Sequence, residues 1–232
     1  MVDSKNNPNC KRKLRNILLS FLVTLIFNAI LFISAGSLAW IGGWVLVVVM
    51  LTANTLGVVL LDPGLLEERT GVKRGYKRED VLLATVMGRL GPLVIIIISG
   101  LDFRFGWSVP LPGTFAVLGF ALLIIGYTLS LWAMRENRFF SSVVRIQKER
   151  GHHVVTTGPY RIVRHPGYLE SVICMLALPF ALTSHWALIP AVATTIIAIV
   201  RTTLEDHTLK QELDGYTQYA EQVRYRLLPG VW

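Results

Sequence analysis

Residues 158–206 read GPYRIVRHPGYLESVICMLALPFALTSHWALIPAVATTIIAIVRTTLED, and their reading decides the fold. The stretch opens with eleven residues, Gly158 to Tyr168, that hold two glycines, two prolines, two tyrosines, two arginines and a histidine. Two apolar segments follow, about 167–183 and 186–201, parted only by Thr183–His185, which is too short for anything but a turn. Pro166 stands where a helix starts, at the one helical position where a missing N–H costs nothing. The two segments therefore form a helical hairpin, short enough to call for tilt or a thinned bilayer. The hairpin returns Arg201 and Glu205 to the side of His165. Polar residues this dense at the mouth of membrane helices are costly unless they bind something.

Working outward, the 232 residues are 53% hydrophobic and 16% charged, against about 25% charged in an average soluble domain. Mean hydropathy is +0.52. Apolar runs at about 16–34, 38–61, 81–100 and 114–134 precede the hairpin, each near the roughly 20 residues that cross a bilayer. The expected fold is all-α, a polytopic integral membrane protein with about six transmembrane helices in one domain, 1–232. The first run follows a basic KRKLR without a small-residue cleavage site and reads as a retained helix rather than a signal peptide. Twenty-one of the 23 Lys and Arg fall in the N-terminal tail, loop 62–80, segment 135–166 and the stretch from Arg201 onward. The exceptions are Arg89, inside the third span, and Arg104. This asymmetry predicts cytoplasmic termini and cytoplasmic basic loops. The net charge of +8 is thus topological, reinforced by anionic membrane lipids, and nucleic acid is not an expected partner.

The first two spans read as a lipid-facing hairpin joined near Ala35–Ser37, and residues 1–134 as mainly scaffold. Loop 62–80 reads as a cytoplasmic connection. Gly91–Pro92 predicts a kink in the third span, where Arg89 has a structural role, snorkelling to the cytoplasmic face or meeting Glu170. Arg135 to Arg150 is expected to extend the fourth helix into the cytoplasm, with Gly151 as stop signal. Beyond Asp206, Leu209, Leu213 and Tyr216 keep helical spacing, continued by Tyr219 and Val223.

Several chemistries are excluded or disfavoured. Cys10 and Cys174 allow neither a disulfide framework nor a zinc pattern. No HExxH occurs, adjacent His152 and His153 point apart on an extended chain, and His185 lies across the membrane, so no metal is expected. There is no GxSxG elbow and no GxGxxG unit. Arg164, His165 and Tyr168 alone would suit an interfacial belt with a capped helix. Their company, GPY ahead and R-x3-ED at the end of the returning hairpin, favours a binding site.

His152 to Tyr168 spells H-x-V-V-x-x-G-P-Y-x-x-x-R-H-P-x-Y, and Arg201 to Asp206 gives R-x3-E-D after the apolar hairpin. Across about residues 135–232 this resembles the isoprenylcysteine carboxyl methyltransferase family, part of a wider membrane methyltransferase group that includes phospholipid N-methyltransferases. The resemblance implies S-adenosyl-L-methionine as cofactor, in a cytoplasmic site built from loop 135–166 and the C-terminal helix. Carried over position by position, it implies cofactor contacts at Gln147, His152, Val154, Val155, Tyr160, His165, Pro166, Tyr168 and Glu205. It assigns Arg201 to a substrate carboxylate. Arg201, His165 and Glu205 are the expected catalytic residues. Two departures stand out: Asp206 replaces a glutamate, and Gly167 follows the proline, altering the lip of the substrate entrance.

Methyl transfer from a sulfonium is an in-line displacement governed by positioning. A carboxylate acceptor is already ionised and needs only an arginine partner. An amine must first lose a proton, with Glu205, Asp206 or His165 as acceptors. The expected activity is carboxyl O-methylation of a prenylated, lipid-like substrate that enters laterally between helices. Phospholipid amine N-methylation is the alternative enzyme. A non-catalytic scaffold or transporter gives no reason for the two clusters to share a face.

Overall fold

The computed structural model describes residues 8–62, 64–65, 78–109 and 111–232, with backbone alone at 8–13 and 78–79. Most of loop 62–80 and the side chain of Cys10 lie outside the described residues. Helix α1 (Pro8–Ala35) pairs with α2 (Ile41–Leu60). Helix α3 (Arg78–Thr85) runs through a π-helical turn (Val86–Leu90) into α4 (Gly91–Phe105). Then come α5 (Gly113–Glu136), α6 (Pro166–Ala181), α7 (Leu188–Glu212) and the short α8 (Tyr216–Gln222). No strand occurs among the described residues. Among the described residues, five helical segments are long and apolar enough to cross a bilayer, and α6 is a shorter apolar one. The chain is an all-helical polytopic membrane protein.

The turns without basic loops meet at one end of the bundle. Asp102 accepts hydrogen bonds from the Ser108 backbone and from the hydroxyls of Ser108 and Ser184, tying loop 106–112 to the α6–α7 turn. Trp40 stacks on Phe103, bringing the α1–α2 turn to the same end. Segments 137–166 and 213–232 therefore share the opposite end, as the charge asymmetry requires.

Close backbone approach holds the centre. A Cβ at Gly119 of α5 would collide with the backbone of Ala177 and Ala181 on α6, and one at Gly126 would lie 2.5 Å from the Cys174 sulfur. The seven-residue spacing puts both glycines on one stripe of α5, so the helices touch along two turns by van der Waals packing. Leu123, 1% exposed, fills the space between them.

One local expectation meets a different outcome, and two others take a more definite form. Helix α5 does not extend to Arg150 but ends at Glu136. Asn137 takes extended backbone angles, its side-chain oxygen accepts the Phe139 N–H, and its amide donates to the Tyr160 hydroxyl. That local bond competes with helix continuation. Pro92 brings a π turn just ahead of it, where the Gly91 N–H reaches the Val86 carbonyl. Helix α7 runs unbroken from the apolar span to Glu212, so Arg201, Glu205, Asp206 and Leu209 share one rigid element.

Gly119→Leu should force α5 from α6 and cost about 1–3 kcal/mol, the usual penalty of overpacking. Gly113→Ala, where a Cβ meets no atom within 4 Å, is the control. Thermal unfolding in detergent measures both, and equal midpoints would refute the close contact.

Candidate active site

The site is organised by the carboxylate of Asp206, which is 1% exposed. A carboxylate so buried must be paired and hydrogen-bonded. Arg164 meets it in bidentate fashion, Nε to Oδ1 at 2.8 Å and Nη2 to Oδ2 at 3.2 Å. The Tyr216 hydroxyl donates to Oδ1 at 3.0 Å, Arg226 Nε donates to Oδ2 at 3.1 Å, and His165 Nε2 lies 3.2 Å from Oδ1. Arg164 spends Nη1 on the carbonyls of Val223 and Arg224, at 2.8 and 2.9 Å, just beyond α8. The backbone N–H groups of Arg164 and His165 donate to the carbonyls of Tyr225 and Arg226. The R-H-P turn is thus locked between α7 and the C-terminal segment, and Pro166 begins α6 with His165 as its cap residue.

Arg201, one turn earlier on α7, makes a second buried pair. Its Nε and Nη2 meet the two oxygens of Asp80 at 2.6 and 2.9 Å, and Nη2 also donates to the Ser142 carbonyl at 2.7 Å. Asp80 Oδ2 accepts the Val144 N–H at 2.6 Å. Asp80 and Arg201 therefore strap loop 137–147 to α3 and α7. The Arg201 guanidinium also lies 5.4 Å from the centre of the Tyr168 ring, a cation–π distance.

Between the two clamps lies a cavity of about 330 Å³. Its walls include His152, Val154, Val155, Tyr160, His165, Pro166, Tyr168, Arg201 and Glu205. The structure thus brings together every expected site residue except Gln147. Gln147 is fully buried behind the wall, where its amide donates to the Phe139 carbonyl and its oxygen accepts from Arg150. Glu205 accepts the Tyr168 hydroxyl at 2.7 Å, so a carboxylate borders the cavity between the paired Arg201 and Asp206. Gly167 admits the Phe140 ring, which would lie 2.5 Å from a Cβ at that position. The lip is shaped by this contact.

Burial sets the protonation of the outer wall. His152 stacks on Phe139 with 4.5 Å between ring centres, and its Nδ1 accepts the Gln147 N–H at 3.2 Å. Burial first, and then the nearby His153, Arg145 and Arg150, lowers its pKa to about 4, so the ring is neutral at pH 7 with its proton on Nε2. Burial likewise raises Tyr160, Tyr216 and Tyr219, which keep their hydroxyl protons; those of Tyr216 and Tyr219 are donated, while the Tyr160 oxygen accepts from Asn137. The Tyr219 hydroxyl donates to the Tyr160 carbonyl, fixing the GPY turn. No group of three metal-ligating side chains occurs among the described residues.

Sequence reasoning missed Asp80, Asn137, Tyr216 and Tyr219 as parts of the site. Asp80 carried a signal: an acidic residue at the entrance of an apolar span, on the side to which Arg201 returns. Asn137 carried a weaker one, as a residue that prefers helix ends.

The same part of the chain is similar to known methyltransferases. Residues 114–214 match the family model for phospholipid methyltransferases. Over 111 residues, 45% of the chain, the sequence is 31% identical to protein-S-isoprenylcysteine O-methyltransferase B of Arabidopsis thaliana, covering 55% of that protein. Probable protein-S-isoprenylcysteine O-methyltransferases of Oryza sativa, subspecies indica and japonica, are 30% identical over 112 residues, 46% of the chain and 57% of each. The chain spans just over half the length of these curated relatives. The resemblance read from the motif is borne out.

Two measurements probe the clamps and the wall. Asp206→Asn should cost about 3–5 kcal/mol of stability, the scale for breaking a buried ion pair. Lys210→Ala, whose ammonium reaches Asp206 from a 39% exposed side chain, should cost far less. Similar losses in thermal melts would contradict the hub. Because unfolded His152 takes up a proton near pH 6.5 and the folded residue only near 4, stability should fall as pH drops through that window. His152→Asn should reduce the loss between pH 7 and 5, and an unchanged slope would exclude His152 as its source.

Proposed function

We propose that this chain, a relative of the isoprenylcysteine carboxyl methyltransferases, is an S-adenosyl-L-methionine-dependent methyltransferase acting on a lipid-like substrate, and that its reaction is carboxyl O-methylation of the isoprenylcysteine type. One observation carries the reading. A single cavity takes its walls from the His152–Tyr168 segment and Glu205 at one end and from Ala84, Gly88, Ser130 and Met175, within apolar helices, at the other. A polar cofactor and a greasy acceptor meet in such a space.

The residues present fit the cofactor. Glu205, held by the Tyr168 hydroxyl, offers a carboxylate to an ammonium or to ribose hydroxyls. The rings of Tyr160, Tyr168 and Tyr216 offer faces to a cation. The backbone of Val154 and Val155 supplies further donors and acceptors along the outer wall. When bound, S-adenosyl-L-methionine supplies an electrophilic methyl group on a sulfonium. The protein's part is to align an acceptor oxygen with that methyl and to exclude water, and such positioning is worth about 7–11 kcal/mol in favourable cases. Arg201 uses Nε and Nη2 on Asp80 and Ser142, which leaves Nη1 to orient the substrate carboxylate. His165, bonded through Nε2 to Asp206 and Tyr216, acts as a positioning residue that holds the wall. The active site and both termini are read as cytoplasmic, from the charge asymmetry.

Phospholipid amine N-methylation is the second reading, favoured by one observation: a second carboxylate, Glu170 of the apolar helix α6, lines the cavity, as a site for a cationic headgroup would require. The nature of the product separates the two.

Purified protein should bind S-adenosyl-L-methionine measurably by calorimetry, and Glu205→Ala should weaken binding strongly, by at least about tenfold, the equivalent of one lost charged hydrogen bond. Absence of binding at millimolar cofactor in folded wild-type protein would overturn the enzyme reading. With a prenylcysteine acceptor the product should release methanol in mild base, whereas a base-stable product from a phospholipid would establish N-methylation. Arg201→Lys, checked for folding, should lose turnover of the carboxylate while keeping cofactor affinity.

A further inference from the structure

The strongest unassigned feature is the π turn between α3 and α4. Turns of this kind interrupt α-helices rarely and recur at functional positions. Here one side of the turn is anchored. A Cβ at Gly91 would collide with Thr194 of α7, and Met87 packs against the cluster of Tyr168, Ala198 and Leu227. The other side is open. Gly88 lines the cavity and is itself exposed, so its backbone borders open space there. A Cβ added at Gly88 meets no described atom within 4 Å. Leu90, on the same turn, is 46% exposed and does not line the cavity.

The neighbours of Gly88 define a doorway. Ala84, Met87, Gly88 and Pro92 form one jamb, and Ser130 of α5 belongs to the other. These two walls barely touch each other, and α6, through Ser171 and Met175, forms the back between them. All of these residues belong to helices apolar enough to cross the bilayer or to α6. A gap between bilayer-crossing helices faces the hydrocarbon of the membrane. Pro92 has no N–H to give the Gly88 carbonyl, so the turn is eased where the doorway needs width.

Resting on the methyltransferase reading above, we infer that Gly88 is the specificity-determining residue of a lateral portal, and that the absent side chain there makes room for the apolar chain of the methyl acceptor. The polar end of the acceptor sits in the cavity near Tyr168 and Arg201 while its chain passes over Gly88 into the bilayer. The bulk at position 88 then sets how thick a chain is admitted. Cofactor binding, at the far end of the cavity, does not depend on it.

The test is a bulk series, Gly88→Ala, Gly88→Leu and Gly88→Phe, with Leu90→Phe as the control on the same turn. Cofactor affinity is measured by calorimetry, and KM is compared for a farnesylated cysteine acceptor and a short-chain S-alkyl cysteine analogue. The expected result is unchanged cofactor affinity throughout. The KM ratio of long to short acceptor should rise progressively with bulk at position 88, by about tenfold or more at Phe, the scale on which apolar pockets discriminate methylene groups. Leu90→Phe should leave the ratio alone. A constant ratio across the series, with cofactor bound, would overturn the portal. Loss of the ratio shift only because wild type binds no cofactor would instead overturn the methyltransferase reading. If Gly88→Phe fails to fold, Gly88→Ala and Gly88→Leu carry the comparison.

Discussion

The burial of one carboxylate, Asp206, is the constraint on which the rest of the site depends. Left alone at 1% exposure it would be ruinous, so the structure surrounds it with the Arg164 fork, Arg226, Lys210, Tyr216 and His165. These five partners come from four stretches of chain: the R-H-P turn, the end of α7, the start of α8 and the C-terminal segment. Satisfying the charge therefore assembles the site. The same need explains why Arg164 reaches past the carboxylate to cap carbonyls beyond α8, because an arginine only 7% exposed must also satisfy its remaining N–H groups.

Helix α7 repeats the device one turn earlier with the opposite sign. Arg201 is the buried charge there, and Asp80 and the Ser142 carbonyl are drawn in to meet it. The two clamps pull different segments onto one rigid helix, and Glu205 lies between them at the cavity wall. Glu205 is thus positioned by two interactions in which it takes no part. Its own bond, from the Tyr168 hydroxyl, only fixes its rotamer. This division is physically sensible. Fully compensated ion pairs supply rigidity, and the group left facing the cavity is available to a ligand.

Much of this was legible in the sequence. The apolar hairpin 167–201 made the return of Arg201 and Glu205 unavoidable, because helical rise and a short turn leave no other geometry. The motif residues from His152 to Tyr168 converge because the hairpin forces it. What escaped reading was decided by single long-range bonds. The fourth helix was expected to extend to Arg150, and its end at Glu136 goes with the bonds of Asn137 to Phe139 and Tyr160. Asp80 lies 121 residues from Arg201 in the chain, and no local pattern encodes that pairing. Gln147 sits within the expected loop but turns to the Phe139 carbonyl, since the irregular segment left by the early end of α5 needed an internal donor. The π turn was foreshadowed by Pro92, whose missing N–H must disturb the ladder, although the form of the disturbance was not.

Charge also argues about the acceptor. Transfer of methyl from a sulfonium to a carboxylate destroys a pair of opposite charges, and the transition state carries less separated charge than the reactants. A water-excluded cavity among apolar helices favours such a change, because charges are poorly solvated there at the outset. A neutral amine gains charge as the sulfonium loses it, so the same environment offers little advantage, and the amine must first give up a proton. The arrangement around Arg201 fits the first case. Its charge is already balanced by Asp80, so on the carboxylate reading proposed above an incoming anion would be oriented through hydrogen bonds without being stabilised so deeply that it stops reacting. A free arginine would bind the acceptor more tightly but would hold its negative charge back from the methyl group. The Asp80–Arg201 pair thus suits an enzyme that must position an anion without quenching it, and this supports the carboxylate over the amine.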